Sequence, residues 1–206
     1  MFTGIVKGKG KLIFVEDRIN FRILTIQFPS ELLVGLEVGA SISNNGCCLS
    51  VTHINENNVN FDLMQETLRL TNLGSLKLGD MINLERSVKY GDEVGGHFLS
   101  GHIMTTAKIN KISETINNLQ IWFHIHDTHL MKYILHKGFI GIDGISLTIG
   151  DVINNSFCVY FVPETIARTT ISKKCLGKKV NIEIDSYTKA IVDTVERIII
   201  KNIIKD

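Results

Sequence analysis

The chain has 206 residues, which is enough for two small domains of about 100 residues each. Hydrophobic residues make up 44% and charged residues 21%, a composition that excludes an intrinsically disordered chain. The formal net charge of +1, with no long run of like charges, gives no electrostatic basis for binding nucleic acid or an anionic membrane.

The first half is predicted to form short β-strands. Alternating apolar residues, rich in β-branched side chains, lie between turn signals such as Asn44-Asn45-Gly46. The predicted strands cover residues 23–28, 41–43, 49–54 and 59–63. A short helix is expected over 30–36, because Pro29-Ser30-Glu31 is typical of a helix start.

The second half shows the same pattern. Strands are predicted over residues 119–125, 145–149, 157–162 and 180–184, with turn signals at Asp143-Gly144 and Asn154-Asn155-Ser156. A second short helix is expected over 127–136. Several short strands at close spacing indicate one small antiparallel barrel in each half.

The tail beyond residue 186 carries two adjacent apolar stripes at helical spacing. The stripes consist of Ile191, Val195 and Ile198, and of Val192, Ile199 and Ile203. Together they form a face too broad for a helix that lies on a small barrel, which favours a self-association helix over 188–206. Two alternatives are a helix packed on its own chain and a strand through residues 198–200, since β-branched residues are modest helix formers.

The two halves are copies of one unit. NGCCLSV at 45–51 matches DGISLTI at 143–149, which lie 98 positions further along, and this offset holds without a gap from 45 to 87. The openings of the halves match at an offset one residue shorter. We therefore predict one barrel over 1–97, a second over 98–187 and a separate tail over 188–206. Further matched pairs are Glu66 with Glu164, Asn83 with Asn181, Glu85 with Glu183, and Gly4 with Gly101.

The cysteines and the hydropathy of the chain indicate its compartment. Cys47, Cys48, Cys158 and Cys175 include no C-x-x-C pair, and adjacent cysteines seldom bridge, so neither a disulfide framework nor a thiolate zinc site is expected. The N-terminal segment lacks the apolar core of a signal peptide, and no stretch of about 18 apolar residues occurs. We expect a cytoplasmic protein.

Several motifs, at the correct relative spacing, resemble the riboflavin synthase family. They are MFTGIV at the N-terminus, NGCCLSV at 45–51, GGHFLSGHI at 95–103, IDGISLTI at 142–149 and VNIEID at 180–185. The resemblance implies a mainly β fold of two tandem six-stranded antiparallel Greek-key β-barrels, with a C-terminal α-helix that gathers three chains into a homotrimer. Ser50 departs from the family by replacing an expected threonine, and Ala190 stands where tyrosine is common.

The resemblance also implies an activity, the final step of riboflavin biosynthesis. Each barrel would bind one 6,7-dimethyl-8-ribityllumazine, and one molecule would transfer a four-carbon unit to the other. The products would be riboflavin and 5-amino-6-(D-ribitylamino)uracil, formed between the first barrel of one subunit and the second barrel of its neighbour. The redox change is internal to the substrates, so no metal and no other cofactor is expected.

Two glycine segments and two Glu-Thr pairs are the features expected to hold the substrates. Glycine lets backbone groups come close to a flat ring, and the Glu-Thr pairs can bind the ribityl hydroxyls. By resemblance, the substrate-binding residues are Gly4, Ile5, Val6, Cys48, Leu49, Ser50, Asp62, Leu63, Met64, Gln65, Glu66, Thr67, Gly101, His102, Ile103, Lys137, Ser146, Leu147, Thr148, Phe161, Val162, Pro163, Glu164, Thr165 and Ile166.

Three positions give the second copy a hydroxyl, an imidazole and a carboxylate that the first copy lacks. The pairs are Cys48 and Ser146, Ile5 and His102, and Ser87 and Asp185. Because the two substrates play unequal roles, we hypothesise that these three gained groups of the second copy handle proton transfer and polarisation. Thr148 and Ser50 would assist by hydrogen bonding, and Cys48 would contact the partner substrate.

Each candidate also has a structural interpretation. Ser146 could be an ordinary strand serine, Cys48 a small buried hydrophobe, and Asp185 the N-cap of the tail helix. His102 could be a structural histidine, and His97 could either brace the turn between the halves or take part in function.

Two wider alternatives concern metal binding and function. His124, His126 and His129 lack a visible further ligand, and we predict no metal site. The alternative functions are a non-catalytic lumazine- or flavin-binding antenna protein on the same scaffold, and a structural barrel without a ligand.

Overall fold

A computed structural model describes residues 1–115 and 118–203. The first half is a closed barrel in which neighbouring strands follow the order β1-β2-β5-β4-β3-β6, with every pair antiparallel. Its strands are β1 (Gly8–Arg18), β2 (Phe21–Gln27), β3 (Ser41–Asn44), β4 (Cys47–Asn55), β5 (Asn58–Met64) and β6 (Met81–Arg86). The predicted mainly β fold with paired barrel repeats is confirmed.

Strand alternation fills the core of the first barrel. In β5, Val59, Phe61 and Leu63 are fully buried, whereas the residues between them point outward. Leu24 and Ile26 of β2 meet them in the same cluster. Burying each such side chain contributes about 1.5–3 kcal/mol, so this inward row accounts for the stability of the strand pair.

The second half repeats this arrangement with one break. Its strands are β7 (Thr105–Thr115), β8 (Asn118–Ile125), β9 (Phe139–Ile142), β10 (Ile145–Thr148), β11 (Val152–Ile153), β12 (Ser156–Phe161) and β13 (Lys179–Ile184). They form a sheet in the order β10-β9-β13-β7-β8-β12-β11. Segments β10 and β11 together correspond to β4, and the break lies at Gly150, the counterpart of Thr52, where β4 carries a bulge. A Cβ at Gly150 would contact the Cys158 sulfur, so only glycine fits at the break.

Equivalent residues meet where the two halves join. Phe2 and Leu99 exchange two backbone hydrogen bonds, of 2.8 and 3.0 Å. The side-chain amide of Asn83 donates to the Asp143 carbonyl (2.9 Å), and that of Asn181 donates to the Asn45 carbonyl (2.8 Å). Each barrel therefore binds the buried turn of the other barrel through an asparagine at the equivalent position.

The short helices differ from the sequence prediction. The segments predicted as helices over 30–36 and 127–136 contain only 3-10 helices, at Ser30–Leu32 and Thr128–Tyr133. Sequence analysis missed two six-residue helices at equivalent places, α1 (Gln65–Leu70) and α2 (Pro163–Arg168).

The tail forms α3 (Ser186–Ile203), so the alternative of a strand through residues 198–200 is wrong. Val192 packs against the second core, and the Tyr133 hydroxyl donates to Asp193. Much of the apolar face stays exposed, with Ile191 at 64% and Ile203 at 70%. The predicted tail also includes residues 204–206, which lie outside the described residues. Within the described ranges, no helix has the length and apolar character needed to cross a membrane.

Candidate active site

Each glycine segment lies against the barrel of the opposite half. Gly4 accepts a hydrogen bond from the Ser146 N–H (2.8 Å), and Gly101 accepts one from the Cys48 N–H (2.9 Å). Both glycines have a positive φ, of 74° and 83°, and a Cβ on either would collide with the facing residue. The opening segment of one half therefore completes a site on the other barrel.

The second-barrel site, defined by Ser146 and the residues around it, contains a hydroxyl–imidazole pair. Ser146 Oγ lies 2.7 Å from His97 Nδ1, and the His97 ring stacks on Phe139 with centroids 4.9 Å apart. His97 is buried, and its Nε2 has no hydrogen-bond partner in the part of the chain that the structure describes. A Cβ on Gly96 would overlap Ser146, so the Gly95-Gly96 turn is what allows His97 to reach the serine.

The protonation of His97 is set by burial and by one carboxylate. Burial lowers the pKa of the imidazole, and the negative charge of Asp185 opposes this effect. Asp185 is itself buried, and one of its oxygens accepts hydrogen bonds from the Thr188 N–H (2.7 Å) and hydroxyl (2.8 Å). Asp185 therefore caps α3 and also biases the charge of His97.

The first-barrel site, defined by Cys48 and the residues around it, lies at one end of β4. Cys48 is half-buried and Ser50 is exposed, whereas Leu49 between them points into the core. Since β4 runs antiparallel to β5, the end of β5 near Asp62 lies at the same end of the barrel. The neighbouring Cys47 is buried, and burial raises the pKa of its thiol to about 12, so Cys48 is the accessible thiol of the pair.

The predicted substrate residues fall into two sets. Gly101 contacts Cys48 of β4, and Ile103 packs in the core of the first barrel, whose β4, β5 and α1 carry positions 48–50 and 62–67. Gly4 contacts Ser146 of β10, and Val6 packs in the core of the second half, whose β10, β12 and α2 carry positions 146–148 and 161–166. In α1, Arg69 donates to Glu66 and lowers the pKa of that carboxyl, and in α2 Arg168 pairs with Glu164. Both sets thus carry a glutamate that pairs with an arginine of the same short helix, although the two arginines lie at non-equivalent positions.

Lys137 has a backbone conformation that lysine rarely adopts. Its φ is 66°, while Gly39 at the equivalent position of the first half has a φ of 89°. The Lys137 N–H is fixed to the Ile149 carbonyl (2.9 Å), and the side chain is exposed. A non-glycine residue held there costs roughly 1–3 kcal/mol, which points to a use for this side chain.

Within one chain, the structure brings together Ser146 and Asp185 of the catalytic hypothesis but not His102. Ser146 and Asp185 lie around the same imidazole, but that imidazole is His97. His102 follows Gly101 and so lies beside Cys48, in the other site. The signal available in the sequence was the Gly-Gly pair that directly precedes His97.

Comparisons with known proteins agree with this geometry. The Lumazine binding domain family matches residues 3–87 and again 100–185. Riboflavin synthase of Escherichia coli K12 is 60% identical over 97% of this chain and 93% of its own length. Riboflavin synthase of Buchnera aphidicola from Schizaphis graminum is 53% identical over 98% of each chain. The crystal structure of LumP complexed with riboflavin aligns with a TM-score of 0.85 at 28% identity, over 90% of this chain and all of that one. The chain belongs to the riboflavin synthase family, whose fold is built from two lumazine-binding repeats.

Proposed function

We propose that this chain is a transferase that converts two molecules of 6,7-dimethyl-8-ribityllumazine into riboflavin and 5-amino-6-(D-ribitylamino)uracil. The observation that carries the proposal is the duplicated site: in each half a glycine segment lies against the opposite barrel, which suits two identical substrates, and the second-barrel site contains the Ser146–His97 pair. Holding two reactants in fixed orientation supplies effective molarities of about 10⁵ M or more. The chemistry is internal to the substrates and needs no cofactor.

Ser146 and His97 fit the removal of a proton from the C7 methyl group of one lumazine. The lowered pKa of His97 keeps its imidazole neutral near pH 7, and Nδ1 lies within hydrogen-bond reach of the serine oxygen. Ser146 Oγ takes the methyl proton while its own proton passes to Nδ1.

The first-barrel site suits the second lumazine, which must accept a nucleophile at its own C7. Cys48 is half-buried and faces the Gly101 segment, so its thiol borders a bound ring. Glu66 and Glu164, each beside a threonine, occupy equivalent rims and are proposed to bind the two ribityl chains. The remaining backbone groups at residues 5–6 and 102–103 are proposed to read the pyrimidinedione edges.

We also propose a homotrimer in the cytoplasm, with the exposed apolar face of α3 as the contact between chains. Residues such as Ile198 and Ile199 are about half exposed in the single chain and would be buried by association. Trimer formation would bring the first barrel of one subunit to the second barrel of the next. All four cysteines are free thiols, which supports a reducing compartment.

A second candidate is a lumazine or flavin carrier without turnover, favoured by the fit to LumP complexed with 6,7-dimethyl-8-(1'-D-ribityl) lumazine, at a TM-score of 0.82. Incubation of the purified protein with that lumazine alone separates the two. The enzyme is expected to form one riboflavin for every two lumazines consumed, followed by absorbance and fluorescence. Tight lumazine binding with no riboflavin formed would identify the carrier instead.

A further inference from the structure

Two buried glutamates hold the glycine segments of the two sites. Glu85 of β6 accepts hydrogen bonds from the Thr3 N–H (2.6 Å), the Thr3 hydroxyl (2.7 Å) and the Gly4 N–H (3.1 Å). Its side chain is 3% exposed. A carboxylate buried this deeply is stable only when its oxygens are hydrogen-bonded, and here the donors come from the segment that reaches the opposite barrel.

Glu183 of β13 repeats the arrangement 98 positions later. It accepts from the Ser100 N–H (2.6 Å), the Ser100 hydroxyl (2.8 Å) and the Gly101 N–H (3.1 Å), and it is also 3% exposed. Burial raises the pKa of both carboxyl groups, while the hydrogen bonds act in the opposite direction. Nearby cations act in the same direction as the hydrogen bonds: Lys7 lowers the pKa of Glu85, and His102 lowers that of Glu183.

We propose that Glu85 and Glu183 are positioning residues that act across the molecule: the glutamate of each barrel sets the site on the other barrel. Glu85 belongs to the first barrel, but the segment it holds lies against Ser146. Glu183 belongs to the second barrel, but its segment lies against Cys48. This inference rests on the two-site assignment proposed above.

A carboxylate is the group that this task requires. Two acceptor oxygens face three donors, two of which are backbone N–H groups of adjacent residues. Glutamine offers one acceptor oxygen and places an NH₂ group against an N–H, so Glu85→Gln leaves part of the segment without a partner. Aspartate keeps both oxygens on a shorter arm, so Glu85→Asp is expected to recover part of the function.

The test needs a reactive side chain as a reporter in each site. Cys48 is the reporter in the first-barrel site, and a cysteine substituted at the equivalent Ser146 is the reporter in the second-barrel site. In a Ser146→Cys background, equivalent positions of the two barrels both carry a thiol. The alkylation rate of each thiol is measured by peptide mass spectrometry over a range of riboflavin concentrations. The riboflavin concentration that halves each rate reports occupancy of each site separately, without any need for turnover.

Glu85→Gln is expected to raise the half-protecting riboflavin concentration at position 146 by about tenfold or more, the effect of losing a hydrogen bond to a charged group, and to leave position 48 unchanged. Glu183→Gln is expected to do the reverse, and each Asp variant to recover part of the loss. Thermal unfolding of all variants verifies that they fold.

Three outcomes would overturn the proposal: an effect on the barrel that carries the glutamate, an equal effect on both sites, or no effect on either. Riboflavin protection of the two thiols in the Ser146→Cys parent tests the two-site assignment separately from the positioning role. If riboflavin protects neither thiol there, the two-site assignment itself fails, and this inference fails with it. If riboflavin protects both thiols of the parent, but neither glutamate variant weakens protection at the site on the opposite barrel, only the positioning role is wrong.

Discussion

Equivalent residues of the two barrels fall into two groups. Several of those that hold the molecule together are the same in both halves, as with the interface asparagines Asn83 and Asn181. Those that face the sites differ, as with Cys48 and Ser146, and among the described residues a buried imidazole, that of His97, lies in the second-barrel site only. The difference indicates that the two copies share their structural contacts but differ in their site residues, so that two identical substrates would bind at two chemically different sites.

The largest expected effect is a loss of turnover when the Ser146–His97 pair of the second-barrel site is removed. Ser146→Ala and His97→Gln are each expected to lower kcat for riboflavin formation by about 10²-fold or more, because each removes one half of the proton-transfer pair. Steady-state kinetics with 6,7-dimethyl-8-ribityllumazine measures the change. The double variant is expected to lose little beyond either single variant, since the two side chains act as one unit.

The chain provides a matched control. His124 Nδ1 lies 3.2 Å from Ser156 Oγ on the outer side of the second barrel, so it forms a histidine–serine pair outside both sites. His124→Gln is expected to leave kcat unchanged. A loss of kcat in His124→Gln similar to that in His97→Gln would show that the effect is not specific to the second-barrel site.

His97 also gives a signature in stability against pH. Its pKa in the folded protein is lowered by burial from the ordinary value of 6.5, so the unfolded chain takes up the proton first as the pH falls. The stabilisation is complete above about pH 6.5 and is lost as the pH falls through the lowered value. The same slope persisting in His97→Gln would assign it to another group.

The sequence predicted the repeat and most strands, because alternation and turn residues are local signals. It missed β1, β6, β7, β9 and the two-residue β11; in β1, Gly8, Gly10 and the neighbouring lysines hide the alternation of buried residues. It also could not pair His97 with Ser146, since their contact depends on how two barrels dock and on a Gly-Gly turn. The identities of the site residues could be predicted from family motifs. Which barrel each residue faces could not, because each glycine segment lies against the barrel of the opposite half.

A medium effect is expected where the two frames differ. The buried Asp143 pairs with Lys174 (3.1 Å), whereas the first barrel has Asn45 and Leu76 at these positions. Asp143→Asn leaves the lysine without its anion and is expected to lower the free energy of unfolding by about 2–3 kcal/mol, toward the lower end for a buried pair because Lys174 is partly exposed. Denaturant unfolding measures this change.

The double variant Asp143→Asn with Lys174→Leu recreates the first-barrel arrangement. It is expected to recover at least half of the lost stability, because no charge is then left unpaired. Asparagine also tolerates the positive φ of 46° at this position, so the substitution adds no backbone strain. A double variant less stable than Asp143→Asn alone would mean that the second frame cannot accept the neutral form.

The smallest effect concerns Lys137, where the second barrel keeps lysine in a glycine conformation. Lys137→Gly is expected to change the free energy of unfolding by no more than about 1 kcal/mol, in the stabilising direction, because relief of the left-handed backbone outweighs the entropy of the unfolded glycine. Riboflavin formation is expected to fall in the same variant. Opposite signs for stability and turnover would identify Lys137 as a residue kept for function at a cost in stability.

Gly39 supplies the converse measurement. Its φ is 89°, and a Cβ added there would meet no atom within 4 Å, so Gly39→Ala tests backbone strain alone. It is expected to lose about 1 kcal/mol of stability and to leave turnover unchanged. If Lys137→Gly also lost stability, the lysine stem would be contributing packing in the folded chain, and its conformation would not be evidence for a role in binding.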